Sequence, residues 1–286
     1  MSTLRFARMV VALFLLSWLV ACASSTPLPQ PTPIPASPTA LPTFAATALP
    51  TSTATATALP TPTPTFTARQ RYASAFGIDY AHPEKYRAQG EQTRLSNPRL
   101  FDALRGKPPS IAHLGEIYFW IKREFTTWTA GGATIGAVTT DQLFQSRRLG
   151  GCHDWGLVYA SIARDLGYPV VMIDTAGIAW AKGFLAGKKS PYLGHVFVEV
   201  FVADKWVLVD STNNWYVEGD YDPANAIIPL KMGDETEGLF VMRKGADTWG
   251  YGIHSNAELT RLMEESARAL KLDSLVKPPY TFLRFK

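Results

Sequence analysis

The sequence predicts an α+β domain carried at the end of a long unstructured stalk. Three observations support this. Apolar residues recur at helical spacing over 111–125 and again over 155–166. A stretch hydrophobic on both faces, HVFVEVFV at 195–202, is followed after a short turn by KWVLVDST at 205–212, the pattern of an antiparallel hairpin. Residues 23–68 contain no charged side chain and consist mostly of Pro, Thr, Ala and Ser, so they bury too little to offset the cost of ordering.

The chain opens with MSTLRFAR, which carries two arginines, and then VVALFLLSWLVACA. That apolar run is short for a spanning helix, which needs about 20 residues, and suits a signal-peptide core. Leu19-Val20-Ala21-Cys22 resembles the bacterial lipobox, which implies cleavage before Cys22 and lipidation of its thiol. The alternative is an uncleaved signal anchor or a cut elsewhere, and each takes the rest of the chain out of the cytoplasm. The expected organisation is therefore a lipoprotein signal over 1–21, a lipidated Cys22 with a linker over 22–68, and one domain over 69–286. An extended polyproline-like stalk of this length would reach roughly 140 Å at about 3.1 Å per residue. The net charge of +4 includes Arg5 and Arg8, and no basic run suited to nucleic acid follows. Cys22 and Cys152 are the two cysteines, too few for a disulfide framework. A monomer without cofactor is expected.

Within the domain, Asn97 is placed to cap a short helix over PRLFDALRG. Ser110 is placed to cap a longer one whose stripe is Ile111, Leu114, Ile117, Tyr118, Ile121 and Phe125. Trp120 and Trp128 are expected to pack in the core. Thr139 to Gln142 reads as a capping box for a helix over 143–148 that stops at Gly150. Next comes GGCHDWGLVYASIARDLGYPV, two glycines and a cysteine at the start of a helix that Gly167 and Pro169 close. A thiol at a helix N-terminus has its thiolate favoured by unpaired N–H groups and the helix dipole, so Cys152 is a candidate nucleophile. The competing reading is a small buried cysteine.

Residues 168–175 read as a buried strand and 176–193 as a mobile excursion bordering a cleft. In the hairpin, an even-numbered loop pairs Phe201 with Trp206. That puts His195, Glu199, Trp206, Leu208 and Asp210 on one face, with Asp210 diagonal to His195. An odd loop would send Asp210 to the other face. A cysteine, a histidine and an aspartate in this order have the logic of a thiol triad: Cys152 attacks a carbonyl, His195 holds the thiolate and later protonates the leaving amine, and Asp210 orients the ring. The backbone N–H of Cys152 would serve as oxyanion donor.

These motifs resemble the transglutaminase-like superfamily: G-x-C-x-(D/E)-x-A at Gly150, Cys152 and Asp154; H-x-(W/F)-x-E at His195, Phe197 and Glu199; W-x-x-x-D-x-(T/S) at Trp206, Asp210 and Thr212. The departure is Gly156 where alanine is usual. The resemblance spans about 117–215 and implies a papain-like α+β core with the nucleophile helix packed on an antiparallel sheet, and Cys152, His195 and Asp210 as catalytic residues. Gln145 is a weaker oxyanion candidate, as glutamine serves papain-like enzymes.

Other polar residues carry plainer expectations. Glu199 either tunes the site or makes a structural salt bridge, the latter favoured. Asp154 reads as a cap or a packing contact, and His153 is expected to point elsewhere around its helix. His113 and His254 are lone histidines. Glu218, Asp220, Asp222 and Asn225 lack the glycine-centred spacing of a calcium loop, and no zinc spacing occurs. Farther on, a strand is expected at 238–243 and a helix capped by Asn256 that buries Leu259, Leu262, Met263 and Ala267; the tail PPYTFLRFK should fold back on the body. The function expected is acyl transfer from peptide or side-chain amides, hydrolytic in preference to cross-linking, on a protein or cell-envelope substrate. A binding domain that has kept the fold is the third possibility.

Overall fold

The computed structural model describes residues 75–128, 134–219 and 221–286. The signal, the lipidation site Cys22 and the linker lie outside them.

A mixed arrangement of helices and one antiparallel sheet results, as the sequence predicts. Asn97 accepts the Arg99 N–H and opens a 3-10 turn, Pro98–Leu104. Ser110 accepts the His113 N–H and starts α1, Ile111–Glu124. A two-residue strand, β1 (Thr126–Thr127), leads on toward the Thr139–Gln142 capping box, which forms reciprocally at the head of α2, Thr140–Ser146. The stop comes earlier than Gly150. Arg147 turns left-handed at φ 55°, and the freed residues form β2 (Arg148–Leu149), parallel to β1. The Arg147 guanidinium lies over the Phe125 and Phe144 rings, a cation–π contact that offsets the left-handed cost. Trp120 is buried, but Trp128 is half-buried under the Arg148 guanidinium instead of in the core.

Helix α3, Cys152–Asp165, is buried almost throughout, including His153, Asp154, Ser161 and Arg164. It is a central helix and not an amphipathic surface one. The strands that follow are β3 (Val170–Gly177), β4 (Gly194–Val202), β5 (Lys205–Asp210), β6 (Trp215–Val217), β7 (Ile227–Ile228), β8 (Leu239–Gly245) and β9 (Phe282–Arg284). They form one sheet in the order β7-β8-β3-β4-β5-β6-β9, with every pairing antiparallel. Residues 176–193 hold a helix, α4 (Ile178–Leu185), where the sequence suggested an irregular excursion. Ile178, Trp180 and Ala181 anchor it, and buried apolar residues at that spacing are what a short helix needs. The last helix, α5 (Asn256–Ala269), is capped by Ser255, one residue before the expected cap, through its bond to the Glu258 N–H. Leu259, Leu262, Met263 and Ala267 are buried as expected.

The main core lies between α1, α2 and α3 and the sheet face formed by Val170, Met172, Val196, Val198, Val200, Val207 and Val209. The other face packs Phe197, Trp206 and Leu208 against Ile78 and Tyr80. The tail folds back as β9 on β6. Phe285 stacks on Tyr216 with centroids 4.7 Å apart and seats against Gly115. Among the described residues no helix is long and apolar enough to cross a membrane.

Candidate active site

The hairpin places the first two site residues. Phe201 pairs with Trp206, and the two-residue loop Ala203–Asp204 has φ of 50° and 59°, both positive as a type I′ turn requires. Continuing that register puts His195 and Asp210 on the same face as Phe197, and His195 Nε2 lies 2.9 Å from Asp210 Oδ1. Asp210 is itself held by the Thr212 N–H, the Asn213 N–H and the Asn213 amide. Its carboxyl is pushed up by burial, but His195 outweighs that and holds it below its usual range. Because Nε2 faces Asp210, Nδ1 is the ring nitrogen left for the thiol.

Cys152 stands at the first position of α3, after the extended Gly151. The first intrahelical bond runs from the Trp155 N–H to the Gly151 carbonyl, so the Cys152 N–H is one of the orphan donors at the helix start. Asp154 takes the Gly150 N–H at 2.6 Å and closes the turn, the cap role read from the sequence. Burial drives the thiol upward, but His153 and His195 more than reverse this and bring its pKa down to about 6. Burial pulls His195 down, and Asp210 more than offsets it, so the ring's pKa rises to about 10. The favoured resting state is thus a thiolate beside an imidazolium.

His153 departs from expectation. Its Nδ1 is 3.9 Å from Cys152 Sγ, within hydrogen-bond reach of a sulfur, while His195 lowers the pKa of the same thiol. The two side chains occupy adjacent positions in an unpaired first turn, where neighbours can share the helix mouth. On its other side, His153 Nε2 lies 2.9 Å from Asp174 Oδ1, with the ring N–H imperfectly aimed at that oxygen. Asp174 belongs to none of the sequence motifs. Its signal there is one acid following the apolar VVMI of a buried strand, since a buried charge needs a partner.

Cys152, His153, Asp174 and His195 line a cleft of roughly 310 Å³. Its apolar wall is Ile135, Tyr192, Leu259 and Met263, so α5, which carries no chemistry of its own, forms one side. Gln145 is exposed on α2 and does not line the cleft, leaving the Cys152 N–H as the oxyanion candidate.

The remaining candidates are structural. Glu199 Oε1 meets Lys244 Nζ at 2.6 Å with both side chains fully buried, and Tyr80 and Tyr221 donate to the same carboxylate. His113 is buried between the Tyr168 hydroxyl and the Leu104 carbonyl, and His254 is exposed. Glu218 pairs with Lys205, while Asp222 and Asn225 accept backbone N–H groups of their own loop; Asp220 lies outside the described residues. The departure at Gly156 also has a physical reason. A Cβ there would come within 2.7 Å of Val196 Cγ1, so alanine does not fit between this helix and β4.

No family model and no curated protein matches the chain. Two solved structures are similar to it. One is a candidate cysteine protease from Cytophaga hutchinsonii, at 16% identity and a TM-score of 0.41 over 60% of this chain and 50% of that one. The other is Legionella pneumophila LapG in EGTA-treated form, at 15% identity and a TM-score of 0.34 over 63% of this chain and 95% of that one. The chain thus spans about half the length of the first. At these values neither likeness bears on the chemistry, and the site is read from its own geometry.

Proposed function

We propose that the domain is a thiol acyl-transfer enzyme of transglutaminase-like type, acting on peptide or side-chain amides, with Cys152, His195 and Asp210 as its catalytic residues. The observation that carries this is the buried His195–Asp210 pair, 2.9 Å apart, acting on a cysteine at the mouth of a helix on the floor of a cleft. The thiolate adds to the amide carbon, and the Cys152 N–H takes up the developing oxyanion. His195 passes its proton to the leaving amine and a thioester remains. Neutral His195 then draws a proton from water, the acid departs, and the thiolate returns. The apolar wall of Ile135, Leu259 and Met263 favours an uncharged side chain next to the scissile amide.

Hydrolysis is preferred over cross-linking because, among the described residues of the cleft wall, the one carboxylate, Asp174, is already held by His153 and Tyr251 and no other offers an amine a seat. Lipidation at Cys22 would set the domain on a stalk outside the cytoplasmic membrane. Mass spectrometry of a model peptide incubated with the protein and a primary amine separates the alternatives. Cleavage supports a peptidase or amidase and amine conjugation a cross-linker. A peptide that is bound but unchanged would leave a non-catalytic binding domain.

A further inference from the structure

We propose that His153, braced by Asp174 and Tyr251, is a second catalytic imidazole, so that the Cys152 sulfur is held between two histidine–carboxylate pairs. The proposal rests on the thiol-enzyme reading above and goes beyond it. The two pairs come from opposite faces of the sheet. His195 and Asp210 share the Phe197 face, whereas Asp174 lies opposite Val196 on the face that α3 covers. His153 Nδ1 is 3.9 Å from Sγ, its Nε2 is 2.9 Å from Asp174 Oδ1, and the Tyr251 hydroxyl donates to Asp174 Oδ2 at 2.5 Å. A chain of sulfur, imidazole, carboxylate and phenol thus mirrors the sulfur, imidazole and carboxylate of the triad.

The local backbone is built for it. The β3–β8 register shifts between Asp174 and Thr175, so β8 carries one extra residue, Met242, opposite that step. A bulge re-aims the neighbouring side chains, and such bulges recur beside active sites. His153 and Asp174 both line the cleft, so the pair is positioned to meet substrate and is not sealed in the core.

The groups facing His153 are Cys152 and Asp154 from its own helix, Asp174 from β3, Tyr251 from the segment before α5, and His195, which lines the same cleft. Burial pulls the His153 ring down, yet Asp174 and the thiol raise it well above its ordinary range, so it stays an imidazolium. The two imidazoliums are then matched by the thiolate, Asp174 and Asp210, while burial pushes the Asp154 carboxyl up.

The second ring matters most in the second half-reaction. Water adds to the thioester carbon while neutral His195 takes its proton. The tetrahedral intermediate collapses, the C–S bond breaks, and its electron pair moves onto Sγ. His153 Nδ1–H donates to that sulfur without giving up its proton, making the thiolate a better leaving group while His195 is occupied with water.

The test is the pH dependence of Cys152 alkylation by iodoacetamide, followed by intact mass, in the wild type, His195→Ala, His153→Gln and the double variant. We expect His195→Ala to abolish turnover yet keep an alkylation midpoint in the weakly acid range. His153→Gln should raise the midpoint by about one unit, an approximately fivefold loss of rate near pH 6. The double variant should alkylate only in the alkaline range. If His195→Ala alone moves the midpoint into the alkaline range and His153→Gln leaves it in place, the second pair is refuted and the triad stands. If the wild type itself alkylates only in the alkaline range, the thiol-enzyme reading falls and this proposal with it. Should His153→Gln lose its thermal transition, Asp174→Asn reads the same limb: a midpoint raised in the same direction supports the pair, and an unmoved one refutes it.

Discussion

Gly156→Ala sets two familiar effects against each other, and the structure decides the sign. In an isolated helix the change is favourable by roughly 1 kcal/mol, because alanine restricts the unfolded chain. Here the new methyl would sit 2.7 Å from Val196 Cγ1 and 3.1 Å from Met172 Cε. Carbon atoms prefer about 3.5–4.0 Å, so the overlap on Val196 is roughly 1 Å. The methionine tip can swing aside at small cost. Val196 cannot, being fully buried in a central strand and stiff at χ1. Overpacking of this kind costs about 1–3 kcal/mol, and it outweighs the propensity gain. With an overlap of this size the cost falls in the upper part of that range, so the expected result is a fall in the urea midpoint at unchanged slope worth up to about 2 kcal/mol, and a drop in Tm of up to about 8 °C for a domain of this size. Val196→Ala in the same background makes room for the methyl, so the double-mutant cycle should show a favourable coupling of at least about 1 kcal/mol. A Gly156→Ala protein as stable as the wild type, or strict additivity with Val196→Ala, would refute the steric explanation.

Other expectations follow from the same contacts. With the Cys152 pKa near 6 and that of His195 near 10, kcat/KM should be bell-shaped. Activity falls below the first value as the thiol regains its proton, and above the second as His195 loses the one it must give to the amine. Asp210→Asn removes the charge that raises His195, so the alkaline limb should move to lower pH. Lys244→Met strands a buried Glu199 carboxylate and should cost about 3–5 kcal/mol in chemical denaturation. Adding Glu199→Leu should recover much of that loss. Ala203→Asn suits the positive φ of the hairpin turn and should raise stability by about 0.5–1 kcal/mol, read as a higher urea midpoint.

What the sequence discloses about the site follows from locality. The His195–Asp210 pair is legible because a two-residue loop and a period of two determine the register over a few residues. The helix start at Cys152 is legible because glycine and the apolar spacing act locally. The helix at 178–185 is hard to read from sequence because eight residues show little more than two turns, and the flanking lysines read as solvent. The place of the second histidine is not legible because helical spacing gives a direction for the Cα–Cβ bond, whereas an unpaired first turn lets neighbouring side chains converge. Asp174 and α5 reach the cleft only through sheet order and the β3–β8 bulge, which depend on pairings far apart in the chain. Arg147 ends its helix ahead of the glycine because two aromatic rings wait beneath its guanidinium, a contact invisible to a rule that looks for glycine.

The central claim, that Cys152 forms a thioester with the help of His195, is tested most directly by catching that intermediate. A blocked-peptide p-nitrophenyl ester mixed with excess protein should release nitrophenolate in a stoichiometric burst, with the acyl mass located on Cys152. The burst should vanish in Cys152→Ala, and the adduct should persist longer in His195→Ala, where no base activates water. A burst that survives in Cys152→Ala, or acylation of Cys152 no faster than in urea-unfolded protein, would contradict the account.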